Sequence, residues 1–141
     1  MLEQPSMPSG YEFHHVGYAT ASIERERSFF EFLGYRIEGG IFADPQQGVI
    51  GCFMIGPGPR IELLENSPGS STLTPWLNAG TKMYHLAYWV SRIDQALDWA
   101  RGQRARVVVR PVSAPAFGGR KIAFVIFRNG LMLEFIQREV E

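Results

Sequence analysis

The 141-residue chain has a single cysteine, Cys52, and that scarcity removes two classes of site at once: no internal disulfide can form and no cysteine-rich zinc centre can be built. Net charge is absent as well. Fourteen basic residues balance fourteen acidic ones, which argues against nucleic acid or a membrane surface as the main partner. No apolar run reaches the roughly 18 residues of a membrane span. The opening Met1-Leu2-Glu3-Gln4-Pro5 has neither the basic nor the apolar region of a signal peptide, so the expectation is a cytoplasmic protein. The composition, 45% hydrophobic and 20% charged, suits one soluble domain or two small units sharing a core.

What the chain does have is repetition. Phe13-His14-His15-Val16-Gly17-Tyr18-Ala19 recurs as Met83-Tyr84-His85-Leu86-Ala87-Tyr88-Trp89, and Ile61-Glu62-Leu63-Leu64-Glu65 recurs as Leu133-Glu134-Phe135-Ile136-Gln137. His15 and His85 stand 70 positions apart, and Glu62 and Glu134 stand 72 apart. Each half therefore carries one His and one Glu in apolar surroundings.

Local patterns give both halves the same order of elements. After a loose tail over residues 1–11, a strand over about 12–20 leads to a helix with Ser22 as N-cap, Glu24 and Glu26 in its first turn, an apolar stripe of Ile23, Phe30 and Leu33, and Gly34 at its stop. Strands near 35–42, 49–56 and 60–65 follow, separated by Asp44-Pro45-Gln46-Gln47-Gly48 and Gly56-Pro57-Gly58-Pro59. A linker over about 67–81, with a short helix around Pro75-Trp76-Leu77, joins the halves. The second half repeats the pattern. A strand near 82–90 precedes a helix in which Ser91 and Asp94 have capping-box spacing, Ile93, Ala96, Leu97 and Ala100 share one face, and Gly102 ends the run. Strands near 105–111, 120–127 and 131–137 complete it, the last two joined through Asn129-Gly130, a hairpin signal. The expectation is an α+β chain in which residues 12–141 form a single domain of two βαβββ repeats, about 12–66 and 82–138.

Strand alternation then decides which way the candidates point. His15 shares a face with Gly17 and Ala19, and His85 with Ala87, while Glu62 and Glu134 project opposite to their apolar neighbours, so all four can line one cavity with open space above the small residues. Two imidazoles and two carboxylates without a thiolate suit one divalent ion, Co, Ni, Mn, Zn or Fe, with room for water or a substrate carbonyl. The remaining residues have plainer readings. His14 is expected as a hydrogen-bonded core residue, Glu65 at a solvated strand end facing away from Glu62, and Cys52 as a small buried hydrophobe. Trp89 shares the parity of His85. Arg120 and Lys121, after Gly118-Gly119, are either solvated or placed to meet a phosphate.

This pattern of His and Glu on the first and last strands of paired βαβββ units resembles the vicinal oxygen chelate superfamily, the glyoxalase fold. Within it, Pro45-Gln46-Gln47-Gly48-Val49, Ile61-Glu62-Leu63-Leu64-Glu65 and Met83-Tyr84-His85-Leu86-Ala87 are most similar to the methylmalonyl-CoA epimerases. The resemblance implies a half-open mixed-sheet barrel around a metal held by His15, Glu62, His85 and Glu134. It also implies a homodimer, a small thioester substrate, and removal of the proton α to the thioester carbonyl through a metal-stabilised enolate, with return on the other face. Glu134 and Glu62 are then the candidate acid–base residues. The chain departs from the epimerase pattern at Gly51, where some epimerases carry a second catalytic Glu, and at Phe127-Arg128-Asn129-Gly130, which lacks their His-Pro-Lys. Two alternatives stay open: a glyoxalase I type lyase acting on a glutathione hemithioacetal through the same four residues, and a metal-free binding protein of the same fold. Ring-cleaving dioxygenases, with three protein ligands and longer chains, fit less well.

Overall fold

The computed structural model describes residues 6–139, so the first part of the expected tail, residues 1–5, and the last two residues lie outside the described residues. Period-two segments form eight strands, β1 (Glu12–Ala19), β2 (Arg36–Asp44), β3 (Val49–Ile55), β4 (Ile61–Asn66), β5 (Met83–Val90), β6 (Arg106–Ser113), β7 (Lys121–Ile126) and β8 (Met132–Gln137). Three α-helices, α1 (Ile23–Phe32), α2 (Thr74–Ala79) and α3 (Ile93–Gly102), and a 3-10 turn over Pro115–Phe117 complete the described elements. The strands form one mixed sheet in the order β2-β3-β4-β1-β5-β8-β7-β6. Each half contributes four neighbouring strands, and the halves meet where β1 runs antiparallel to β5. The first and last strands of each half, β1 with β4 and β5 with β8, are parallel neighbours, which sets Glu62 beside Gly17 and Glu134 beside Ala87. The sheet curls into a half-barrel.

The convex side is packed by the helices. Ile23 and Phe30 of α1 lie against Val16, Tyr18, Cys52, Met54 and Leu63, and Ile93, Ala96, Leu97 and Ala100 of α3 lie against Val90, Val125, Leu133 and Phe135. Leu33 departs from the expected stripe. It is the C-cap of α1 and is 45% exposed, because the turn to Gly34, at φ +101°, has already rotated the chain away from the sheet. Ser22 caps α1 as expected, its hydroxyl accepting from the Arg25 N–H at 3.2 Å.

The start of α3 differs from expectation. Its N-cap is Arg92, and no side-chain bond links Ser91 to Asp94. Instead the Ile93 N–H donates to Gln137 Oε1 at 3.2 Å, a residue of the last strand of the same half. The first half uses the equivalent residue in the same way: the Ile23 N–H donates to Glu65 Oε1 at 2.9 Å. Glu65 is therefore half-buried against α1 rather than free at a solvated strand end. Cys52 is fully buried, with burial raising its thiol pKa, which keeps it an inert apolar filler.

Candidate metal centre

The central β1–β5 ladder positions the site. His15 pairs with Ala87, and Gly17 pairs with His85, so each imidazole stands opposite a small residue of the other half. The space above Gly17 is taken up rather than left open. A β-carbon built on Gly17 would lie 1.9 Å from His85 Cε1, so the ring rests directly on that backbone.

The four residues read from the sequence come together. His15 Nε2 lies 3.0 Å from Glu62 Oε1 and 3.1 Å from Glu134 Oε1, His85 Nε2 lies 3.1 Å from Glu134 Oε1 and 3.6 Å from Glu62 Oε1, and the two Nε2 atoms are 3.3 Å apart. All four side chains are buried, and one donor atom from each lies within 4.8 Å of the others. Neither carboxylate pairs with Lys or Arg among the described residues, so two acidic groups share a buried space with imidazoles alone. The donor set fits a divalent ion. N and O donors at about 2.0–2.2 Å from a common centre stand roughly 2.8–3.6 Å apart in octahedral to tetrahedral geometry, which spans the separations of 3.0–3.6 Å found here, and a dication balances the two carboxylates. Without a metal, protonation takes that role. The Glu62 and Glu134 charges and hydrogen bonds outweigh burial and raise His15 to about 9, while hydrogen bonds from His15 and His85 lower Glu134 to about 2 against its burial.

Two further side chains reach this face because the ladder is irregular on either side of the histidines. The β1 pairing runs from Phe13–Tyr88 to His15–Ala87, leaving His14 as an extra residue, and the β5 pairing runs from Gly17–His85 to Tyr18–Met83, leaving Tyr84 as its counterpart. His14 shares a 2.8 Å hydrogen bond between its Nδ1 and that of His15. Burial and then the positive charge of His15 lower the His14 pKa to about 4, so neutral His14 accepts and His15 donates. The hydrogen-bonded role expected of His14 holds, with a ligand candidate as its partner. Its ring packs edge-on against Phe53, Trp89 and Phe117. Trp89 thus lines the same side as His85, as its parity requires.

Above the four residues the site narrows to a cavity of about 40 Å³, lined by Glu62, Glu134, Asp44, Gln47, Thr72 and Tyr84 with apolar walls that include Phe42, Phe117 and Phe124. Phe117 closes one side, lying nearly parallel to the His15 ring (16°) with centroids 6.0 Å apart. Gly51 offers no carboxylate, and the space where a side chain would begin is filled: a β-carbon there would lie 2.5 Å from Phe42 Cζ and 2.7 Å from Leu64 Cδ2. Asp44, buried at the end of β2, is a pocket residue that sequence reasoning missed. It accepts from the Gln47 N–H at 3.1 Å and from Gln47 Nε2 at 2.8 Å, and no local pattern distinguishes it from an ordinary turn-closing Asp. Arg120 is engaged within the fold. It donates to the carbonyls of Phe117 and Arg138 and lies over Trp89, tying the Pro115–Phe117 turn to the sheet, while Lys121 is exposed.

Comparison with known proteins agrees with this architecture. The family model of the Glyoxalase/Bleomycin resistance protein/Dioxygenase superfamily matches residues 14–124, and the chain belongs to that superfamily. Among solved structures, a hypothetical protein from Bacillus halodurans C-125 superimposes with a TM-score of 0.79 at 24% identity, covering 94% of this chain and 98% of that one. Methylmalonyl-CoA epimerase from Mycobacterium tuberculosis gives 0.74 at 21% identity, covering 92% and 89%. A Streptomyces coelicolor methylmalonyl-CoA epimerase variant in complex with 2-nitronate-propionyl-CoA gives 0.71 at 17%, covering 92% and 98%. No curated protein matches the chain by sequence. No helix is long and apolar enough to cross a membrane among the described residues.

Proposed function

We propose that the chain is a divalent-metal-dependent proton-transfer enzyme, with His15, Glu62, His85 and Glu134 as ligands and an α-branched acyl thioester as substrate, an epimerase-like reaction. The observation that carries this reading is the buried set of two imidazoles and two carboxylates opening into one small cavity. When bound, the ion supplies Lewis-acid polarisation of a substrate carbonyl. The protein does the rest. Glu134 is hydrogen-bonded by both imidazoles and borders the cavity, where it can accept the α-proton, and Glu62, or a water it holds, returns a proton on the opposite face. The walls of Phe42, Phe117 and Phe124 exclude water from the carbanionic carbon. The cavity is small, about 40 Å³, so the reacting end of the acyl group enters it and the bulky carrier stays outside. The similarity to the methylmalonyl-CoA epimerases supports coenzyme A as that carrier, and a homodimer is the assembly that the family resemblance implies.

A glyoxalase I type reaction is the second reading, favoured by one feature. Phe42 fills the space at Gly51, so the opposite-face carboxylate of some epimerases has no replacement at that position. Both chemistries remove a proton beside a polarised oxygen. A metal-free binding protein would not require two buried carboxylates whose only charged partners are imidazoles.

The test is solvent-deuterium exchange by metal-loaded protein into a panel of 2-methylacyl thioesters and into the methylglyoxal hemithioacetal. Deuterium should enter the α-carbon of a thioester without cleavage of the thioester bond. Glu134→Gln should keep the metal and lose exchange by about 100-fold or more, the scale for removing a general base. Turnover of the hemithioacetal alone would transfer the assignment to the lyase, and failure to take up Co, Ni, Mn or Zn would remove both enzymes.

A further inference from the structure

Tyr84 is the residue of the cavity that the mechanism above leaves without work. It reaches the concave face because it is the extra residue of β5, and its ring is fixed on two sides, 4.6 Å from that of His85 and 4.7 Å from that of Trp76. The polar groups around it are mostly committed. Asp44 is bonded to Gln47, and the Thr72 hydroxyl donates to the Gln47 carbonyl at 2.7 Å. The Tyr84 hydroxyl, by contrast, has no hydrogen-bond partner among the described residues, although the side chain is half-buried and shares its cavity with Glu62 and Glu134. Phenols in such positions ordinarily find a partner in the protein. One that lines a cavity without a partner is free to donate to a guest.

We propose that Tyr84 donates a hydrogen bond to the substrate oxygen on which negative charge develops as the α-proton leaves. The inference rests on the proton-transfer reading given above. The α C–H bond breaks, its proton passes to Glu134, and its electron pair moves into the adjacent carbonyl, whose oxygen gains charge. The Tyr84 O–H stays intact and shares its proton with that oxygen. When the α-carbon is reprotonated the charge returns and the hydrogen bond weakens. A phenol, with an ordinary pKa of about 10, remains a donor throughout the neutral range. Such a bond is stronger in the transition state than in the ground state, which directs its effect to kcat. The β5 irregularity then has a purpose, since regular pairing would turn Tyr84 toward the helices.

Tyr84→Phe removes the hydroxyl and keeps the ring. Measured on the metal-loaded protein, it should lower kcat for α-proton exchange by about 100-fold, the usual scale for one donor to a developing oxyanion, with KM within about threefold. Affinity for 2-nitronate-propionyl-CoA, whose planar anionic group imitates the charged oxygen, should fall with kcat. Affinity for propionyl-CoA and for Co²⁺ should not. Exchange within threefold of wild type would overturn the proposal, as would a parallel loss of exchange and Co²⁺ uptake, which would make the ring a prop for His85 and nothing more. Fluorotyrosine at position 84 provides a second measurement in which the ring stays and only the acidity of the donor changes. Exchange should then vary with that acidity, and a flat response would overturn the proposal. If wild-type protein exchanges no thioester, the acyl-thioester reading fails and this inference with it. If wild type exchanges and Tyr84→Phe matches it, only the role of Tyr84 is lost.

Discussion

In the first half of the molecule the residue before the metal-ligand candidate is His14, which holds His15 through a 2.8 Å bond between their Nδ1 atoms; in the second half it is Tyr84, and the Nδ1 of His85 is buried without a partner. The residue two positions after the histidine differs as well. It is Gly17 in one half and Ala87 in the other, and the bare backbone at Gly17 is what admits the His85 ring. Duplication therefore supplies two copies of a frame, and the copies have diverged into different jobs. One histidine is held by a hydrogen bond at its outer nitrogen, the other by close packing against backbone, and the second half's freed position is a phenol facing the cavity. A site with two equivalent halves would treat the two faces of a substrate alike. This one does not.

The sharpest way to break the comparison is to exchange the small residues. Gly17→Ala places a methyl 1.9 Å from His85 Cε1 and 2.1 Å from its Nδ1, and the ring cannot stay where it is. Uptake of Co²⁺ by the purified variant, followed by titration, should be lost while far-ultraviolet circular dichroism keeps the fold. Ala87→Gly removes a methyl where His15 already fits, and should cost only the roughly 0.5–1 kcal/mol of a glycine in a strand. Equal tolerance of both changes would show that His85 is not held by packing.

A smaller effect separates the residues that precede the histidines. His14→Phe keeps an aromatic ring among Phe53, Trp89 and Phe117 but removes the acceptor for the His15 Nδ1–H. Loss of such a partner weakens metal binding by about 10–100-fold in general, and that range is expected here in a Co²⁺ titration. The counterpart change, Tyr84→Phe, should leave Co²⁺ affinity within threefold. Matching losses would mean that both halves support their histidines in the same way.

Much of this site could be read from the chain, and the reasons are physical. His15, Glu62, His85 and Glu134 are legible because strand alternation has a fixed period and because the duplication repeats it. The positions of His14 and Tyr84 were not legible, since an extra residue in a ladder has no compositional mark and only the register shows it. Asp44 looked like a turn residue and is one; that it also borders the cavity depends on how β2 curls toward the Pro115–Phe117 turn, which local sequence does not encode. The cap of α3 was misplaced for the same reason. Ser91 and Asp94 have the right spacing, but the N–H is taken by a residue 44 positions away.

Acidity offers a test that needs no substrate. In metal-free protein His15 is raised to about 9 by the two glutamates, so its contribution to stability is present below the unfolded-state value of about 6.5 and is lost as pH rises through 9. Glu134 is lowered to about 2 by the histidines, so its contribution is present above about 4.5 and is lost as pH falls through 2. Metal-free protein should thus be most stable between about pH 4.5 and 6.5. Metal binding displaces the His15 proton, so Co²⁺ affinity should strengthen with pH until about 9, and calorimetry in buffers of different ionisation enthalpy should count about one proton released. A melting temperature flat from pH 6.5 to 9 in the chelated protein would mean that the imidazole and the carboxylates do not share a proton.

The smallest expected difference lies at the helix starts, where the halves use the same device with different redundancy. In the first half the Ile23 N–H is held by Glu65, and Ser22 holds the Arg25 N–H, so two of the first-turn donors of α1 have side-chain partners from different strands or turns. In the second half Gln137, itself buried, holds the Ile93 N–H, Arg92 at the N-cap makes no side-chain bond to a helix N–H, and Asp94, paired with the exposed Arg92 guanidinium, accepts only the adjacent Gln95 N–H from the backbone. Truncating a cap costs about 0.5–2 kcal/mol, and the cost rises when the stranded N–H is out of reach of water. Gln137→Leu should therefore destabilise by about 2 kcal/mol in urea unfolding. Glu65→Leu should cost about 1 kcal/mol, because its half-buried site lets water replace the carboxylate. The ordering is the prediction: if Glu65→Leu proves the costlier of the two, the first half depends on its last strand more than on Ser22, and the redundancy seen at α1 carries no energetic weight.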